Sequence, residues 1–334
     1  MNLDKKSVPP YLRRKKLVGP REPIRDVRLV GNSLKNIIYQ VTTDAERFIV
    51  KQARSRVNTK QRIILDRKRI FNEKNCIEIL SQILPPDMLP EVRLEDRTNF
   101  ILVSTAPPRD STLWENDLTS GRVDLQIAAQ CGELLATVHN HTADQRDLKS
   151  MFKDTKPFQQ LRVEPLFNAV GNSFPDLKKV IETHSKSLLK TQRTLVFGDL
   201  RPCNVWLNAG QVFVVDFATA HFGNPAFDLA FYATDLCLKA VINSPQKAAY
   251  LEAINVYWSS YFRVASYPRG QAVETEAVRC LGCMILSVAD MQNQNGFDDE
   301  TKDLLGRIGQ SLLFTELEKI EDITEFINRT LIDG

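Results

Sequence analysis

Asp199, Arg201 and Asn204 stand within six positions of one another, on a loop marked by Gly198 and Pro202 and entered from a short β-rich run, Thr194 to Phe197. Two further runs, Val205-Trp206-Leu207 and Gln211 to Val215, read as strands around the turn Asn208-Ala209-Gly210, a hairpin whose apolar side chains would be buried. That hairpin ends in Asp216. A carboxylate directly after Val-Phe-Val-Val must be paired or hold a cation, because isolating it there costs roughly several kcal/mol. Mg²⁺ takes oxygen ligands and keeps several waters, so one carboxylate and one amide oxygen suffice beside substrate phosphates. Asp216 and Asn204 supply that pair. A carboxylate a few residues before the Asn, here Asp199, is placed to orient an attacking hydroxyl and accept its proton. Taken singly these are common turn residues. As an ordered set, with Asp228 following at an apolar helix start, they are the parts that phosphoryl transfer needs.

The segment resembles the signature of the aminoglycoside phosphotransferase and choline kinase group of protein-kinase-like enzymes. Its usual form is close to HGDLHPGN, a strand, IDFE or IDWE, then G-x-P-x-x-D-L-A. The corresponding letters here are FGDLRPCN, VDFA and GNPAFDLA. The resemblance implies Asp199 as catalytic base, Asn204 and Asp216 as Mg²⁺ ligands, and Asp228 as an anchor hydrogen-bonded to the catalytic loop. Phe197 and Arg201 stand where the group carries histidines, Cys203 where Gly is common, and Ala218 where an acid is usual. The first of those histidines braces the metal-binding turn. Arg201 adds a permanent cation that either stabilises transition-state charge or pairs with Asp199 or Asp228.

An enzyme of this kind also needs a phosphate-covering hairpin, a strand lysine and a helix glutamate. Val27 to Gln52 reads as three strands with turns at Gly31-Asn32-Ser33 and Thr43-Asp44, so that Lys51 ends the third strand. Backbone amides from Gly31 through Asn32 to Ser33, with the Ser33 hydroxyl, are the expected phosphate contacts. Lys60 to Leu80 has apolar residues at helical spacing and a basic opposite face. Glu73 is the expected partner of Lys51, with Glu78 as the other choice. The letters KQA from position 51 and LDRKRIFNE from 65 to 73 resemble the 5-methylthioribose kinase branch, which favours Glu73, and Ser111 to His141 resembles that branch's short helix, Gly and long helix. After a strand from Asn99 to Ser104, Thr105-Ala106-Pro107-Pro108-Arg109 interrupts all periodicity and reads as the adenine-receiving hinge, with backbone groups of Ser104 and Ala106 as contacts.

The fold class implied is α+β and bilobal, protein-kinase-like: a small N-terminal antiparallel sheet with one main helix, then a larger, mostly helical C-terminal lobe holding the catalytic hairpin. The expected divisions are a basic, flexible extension over 1–24, a nucleotide-binding lobe over 25–105, a hinge at 106–110, and a catalytic and acceptor-binding lobe over 111–334. Leu229 to Ile242, Ala248 to Val264, Thr275 to Met291 and Lys302 to Ile327 read as helices of that last lobe. Residues 1–26 carry eight Lys or Arg against three acids, which suggests a solvated tail.

Composition agrees with an enzyme of this size. At 334 residues, 43% hydrophobic, the chain can bury a large core, and a formal net charge of +3 gives no reason to expect a nucleic-acid partner. No apolar run could span a membrane and no signal peptide is visible, so a cytoplasmic location is expected, with six scattered cysteines as reduced thiols. Cys280 and Cys283, in a helical apolar stretch, read as packed thiols. The expected cofactors are ATP or another nucleoside triphosphate and Mg²⁺, and the partner is a small-molecule hydroxyl acceptor. The other reading is a nucleotide-binding pseudokinase or regulatory module without turnover, suggested by Phe197, Cys203 and Ala218.

Overall fold

A computed structural model describes residues 2–33, 35–54, 64–266, 271–290, 297–314 and 320–333. Two compact units are present, one made of Met1–Ser111 with Phe213–Thr219 and the other of Thr112–Val212 with Ala220–Gly334.

The first unit is built on an antiparallel sheet of β1 (Ile24–Asn32), β2 (Asn36–Thr43), β3 (Arg47–Ala53), β4 (Val92–Asp96) and β5 (Ile101–Thr105), in the order β1-β2-β3-β5-β4. Alternation along β3 decides which face each side chain serves. Phe48 and Val50 join Tyr39, Val41, Ile101 and Val103 in one apolar cluster. Lys51 and Ala53 belong to the opposite set, and Ala53 packs with Leu102 and with Ile70 of helix α2 (Arg69–Leu80). The two-residue period of the strand therefore turns Lys51 to the face that α2 covers. The helix is shorter than its sequence pattern suggested. Residues 64–68 are not helical, and 60–63 lie outside the described residues.

The other face of the sheet is covered by the N-terminal segment, which is not the solvated extension its charge predicts. Helix α1 (Val8–Arg14) buries Val8, Tyr11 and Leu12 completely, and Leu3 and Val18 join the same cluster. These apolar residues, at i, i+3 and i+4, make one helical stripe while the basic residues stay outside it. Polar contacts fix the register. The Tyr11 hydroxyl donates to Asp96 at 3.0 Å, Lys15 pairs with Asp96 at 2.9 Å, and the Leu3 amide donates to Gln52 at 2.8 Å. Burial raises the Asp96 carboxyl, but hydrogen bonds from Lys15, Asn99 and Tyr11 outweigh it and hold it well below the usual carboxylate range.

The second unit is largely helical. Trp114–Thr119, Gly121 at a φ of 80°, and Leu125–Thr142 reproduce the expected short helix, glycine and long helix. Ala226–Ile242, Lys247–Val264 and Gln271–Asp290 follow. Of the helix expected over Lys302 to Ile327, the described residues are helical in Asp299–Phe314 and Ile320–Asp333, and 315–319 lie outside the described residues. Strand β6 (Thr112–Leu113) pairs with β8 (Val205–Asn208), which neighbours β9 (Gln211–Val214), while β7 (Thr194–Val196) pairs with β10 (His221–Gly223). The β8–β9 turn passes through Ala209 and Gly210 at φ of 49° and 80°, the left-handed pair that a tight hairpin needs. Cys280 and Cys283 are buried free thiols, pushed up by that burial. Among the described residues no group of three metal-ligating side chains occurs, and no helix is long and apolar enough to cross a membrane.

Candidate active site

In the first unit Lys51 meets two carboxylates. Its Nζ lies 2.6 Å from Glu73 Oε2 and 2.8 Å from Asp216 Oδ1, with the Lys51 and Glu73 side chains almost fully buried and that of Asp216 30% exposed. Burial alone would lower the Lys51 ammonium, but Asp216 and Glu73 outweigh it and hold it above its ordinary range. Glu73 goes the other way. Burial pushes its carboxyl up to about 7, helped by the charge of Asp216 and opposed by Lys51. One ammonium thus serves two acids, and the more buried acid bears the imbalance. Glu78, the other choice from sequence, instead pairs with Lys74 one turn away on the outer face of α2. Asp216 follows β9 at a φ of 67°, a left-handed conformation uncommon for a residue with a side chain and concentrated at functional positions.

The remaining first-unit candidates lie apart from that cluster in the hydrogen-bond pattern. Gly31 and Asn32 continue β1, opposite Ile38 and Ile37, so the reversal comes later than Gly31-Asn32-Ser33. The Ser33 amide donates to the Asn36 carbonyl at 3.0 Å, and its hydroxyl accepts from the amides of Asn36 and Lys35. Ser104 is a buried β5 residue opposite Ile49 of β3. The Ala106 amide is engaged with the Arg47 carbonyl at 2.9 Å, and the Arg47 guanidinium ties down the carbonyls of Pro107 and Arg109.

The second unit assembles Asp199, Arg201 and Asn204 with two residues that the sequence reading did not single out. Gly198, at a φ of 71°, turns the loop through a conformation that favours glycine. Asp228 holds that turn. It is fully buried, and its two oxygens accept from the amides of Phe197 at 2.7 Å and Gly198 at 2.8 Å. Asn204 closes the loop, its Nδ2 donating to the Asp199 carbonyl at 2.8 Å and its amide to the Arg201 carbonyl at 2.8 Å. With that nitrogen committed as a donor, the Asn204 amide oxygen is the ligand-type atom that remains.

Arg162 lies 2.5 Å from Asp199 Oδ2 and also donates to the Gly198 carbonyl at 2.7 Å. Arg201 sits farther out, 3.8 Å from Asp199 Oδ1 and 3.6 Å from Asp235 Oδ2, with a 3.0 Å contact to the Cys203 sulfur. Its Nε finds no hydrogen-bond partner among the described residues. Burial disfavours the Arg201 charge, but Asp235, Cys203 and Asp199 more than offset it. Burial raises both the Asp235 carboxyl and the Cys203 thiol, and Arg201 opposes each shift. Both guanidinium groups lie over the Phe231 ring, at 5.1 and 5.4 Å. Asp228, Phe231 and Asp235 are spaced i, i+3 and i+7 on Ala226–Ile242, so one helix face carries all three. That spacing was the available signal for Asp235. Arg162 comes from a wide, π-type helical stretch, Gln159–Asn168, 37 positions before Asp199, and no local pattern marks it.

The first unit thus offers a buried cation fixed between acids, suited to holding phosphate oxygens. The second offers a carboxylate on a rigid loop with a second cation beside it. Among solved structures, the amicoumacin kinase hAmiN in complex with AMP-PNP, Ca²⁺ and Ami has a TM-score of 0.57 at 13% identity, covering 96% of this chain and 97% of that one. A Plasmodium vivax ethanolamine kinase gives 0.53 at 12% identity, covering 98% and 89%. The ADP-bound aminoglycoside phosphotransferase APH(2'')-Ib gives 0.51 at 14%, covering 95% and 99%. At these identities the likeness is one of fold. A search of curated proteins found no match. The model of the phosphotransferase enzyme family matches residues 26–270, most of the chain and both clusters, and the protein belongs to that family.

Proposed function

We propose that the protein is an ATP- and Mg²⁺-dependent phosphotransferase that phosphorylates a hydroxyl group of a small molecule. The observation that carries this reading is Lys51, buried and held within 2.8 Å of both Glu73 and Asp216. A lysine fixed by a helix glutamate is the arrangement that places an ammonium on the phosphates of a nucleoside triphosphate. Structures of the same fold hold ADP or AMP-PNP, which supports an adenine nucleotide here.

The donor set fits Mg²⁺. Asp216 would bring a partly exposed carboxylate and Asn204 an amide oxygen, both hard oxygen donors of the kind Mg²⁺ takes. When bound, the ion would act as a Lewis acid, neutralising charge that develops on the transferring phosphate. The chain's own residues do the rest. Lys51 holds the donor's phosphate oxygens, and Gly31, Asn32 and Ser33 lie in the hairpin expected to cover them. Ser104 and Ala106 bracket the segment expected to receive the adenine. Asp199 orients the acceptor hydroxyl and takes its proton as the new O–P bond forms and the bond to the departing ADP breaks. Arg201, a cation with incomplete hydrogen bonding, stabilises the charge on the transferring group.

The test is ATP consumption in the presence of Mg²⁺ over a panel of amino alcohols, sugars, aminoglycosides and thioriboses. Asp199→Ala is expected to abolish turnover on any acceptor found while nucleotide binding stays nearly intact. Equal turnover by the wild type and that variant would overturn the assignment.

A further inference from the structure

We infer that Arg162 is the positioning residue for Asp199, holding one carboxylate oxygen so that the other is presented to the acceptor hydroxyl. The inference rests on the proposed role of Asp199 as base. Asp199 Oδ2 is engaged by Arg162 at 2.5 Å, whereas among the described residues the cation paired with Oδ1 is Arg201, whose Nε lies 3.8 Å away, beyond hydrogen-bond range. The two oxygens are therefore unequal, one bound and one available.

The Arg162 side chain has little freedom to do otherwise. It is 8% exposed, donates to the carbonyls of Gly198 and of its own neighbour Leu161 at 2.7 and 2.8 Å, and lies over Phe231. A planar guanidinium fixed at two atoms and across one face can only present its remaining nitrogen in one direction. It grips the loop twice, at the Gly198 carbonyl and at the next residue's carboxylate. Position 197 carries phenylalanine, which has no side-chain donor to steady the same turn. Asp228 fixes the backbone amides of the turn, and Arg162 fixes its carbonyl and its working side chain.

A base that can swing spends part of its time out of line, and a displacement of about 1 Å at a reacting group can reduce turnover about a hundredfold. The loss should appear in kcat, because Arg162 makes none of the contacts proposed for the nucleotide. The experiment measures phosphate release from Mg²⁺-ATP with water as the acceptor probe, for the wild type, Arg162→Met, Arg162→Gln and Asp199→Asn, alongside melting curves. Arg162→Met is expected to lower kcat by roughly ten- to a hundredfold with the KM for ATP within about twofold of wild type. If Arg162→Met does not fold, Arg162→Gln carries the test, since it keeps a donor for the Gly198 carbonyl and loses the charge at Asp199. An inactive Asp199→Asn beside a folded Arg162 variant with wild-type kcat would overturn the inference alone. An Asp199→Asn enzyme as active as the wild type would overturn the underlying reading and the inference with it.

Discussion

Glu73 shares its counter-ion with Asp216, and that gives the protein a pH dependence that can be traced to one side chain. Its carboxyl moves from an ordinary 4.5 to about 7 on folding, chiefly through burial. Between those values the folded state binds more protons than the unfolded one, so stability falls as pH rises through the window and the loss is complete above it. A shift of that size corresponds to on the order of 3 kcal/mol. Lys51, held above its ordinary range, stays charged throughout and contributes a constant amount. Glu73→Gln should therefore flatten the melting temperature between pH 5 and 7.5 relative to the wild type, while reducing nucleotide turnover at least tenfold through loss of the Lys51 partner. Parallel pH curves for the two proteins would show that Glu73 is not the titrating group.

Secondary-structure elements differ in how far the sequence discloses them, and the reason is the range of the interactions that set them. The three strands of Val27 to Gln52 were legible because alternation is local, and the same alternation sends Lys51 to the α2 face. The loop from Asp199 to Asn204 was legible as a loop because Gly198, at a φ of 71°, and Pro202 punctuate it locally. Helix α1 was hidden by its own charge: Val8, Tyr11 and Leu12 have the right spacing, but seven residues are too few to be stable before packing. Arg162 was hidden by distance along the chain. Because α1 covers apolar β2, β3 and β5 side chains, Leu12→Ala should destabilise the first unit by about 2–5 kcal/mol, and Tyr11→Phe by about 1–3 through the buried Asp96 it leaves less satisfied. Chemical denaturation reads both, and a solvated tail would show neither. Gly132 makes a parallel case in the second unit. A Cβ there would stand 2.2 Å from the Tyr257 carbonyl, so Leu125–Thr142 and Lys247–Val264 can pack closely only with glycine. Gly132→Ala should cost more than about 2 kcal/mol despite the better helix propensity of alanine, and a stabilised variant would contradict that packing.

At the scale of the whole molecule, the first unit is completed by a segment that returns from far along the chain: Lys51 and Asp216 are 165 positions apart yet 2.8 Å from contact to contact. A pairing of that separation forms only after a long loop has been closed, so it belongs to the folded state and is absent from the unfolded one. A ligand that engages it must stabilise the fold by mass action, by about 2.7 kcal/mol at a hundred times its Kd. For a chain of this size that is a rise in melting temperature on the order of 5 °C. ATP with Mg²⁺ should produce it, and ATP with EDTA should produce markedly less, since Asp216 carries the carboxylate proposed for the metal. Asp216→Asn keeps the side chain's shape but removes the charge, so it should erase the difference between the Mg²⁺ and EDTA curves while leaving a smaller, metal-independent shift from Lys51 and the phosphates. If Mg²⁺ gives the same increment to Asp216→Asn as to the wild type, the ion is held elsewhere, and the assignment of Asp216 and Asn204 as its ligands falls.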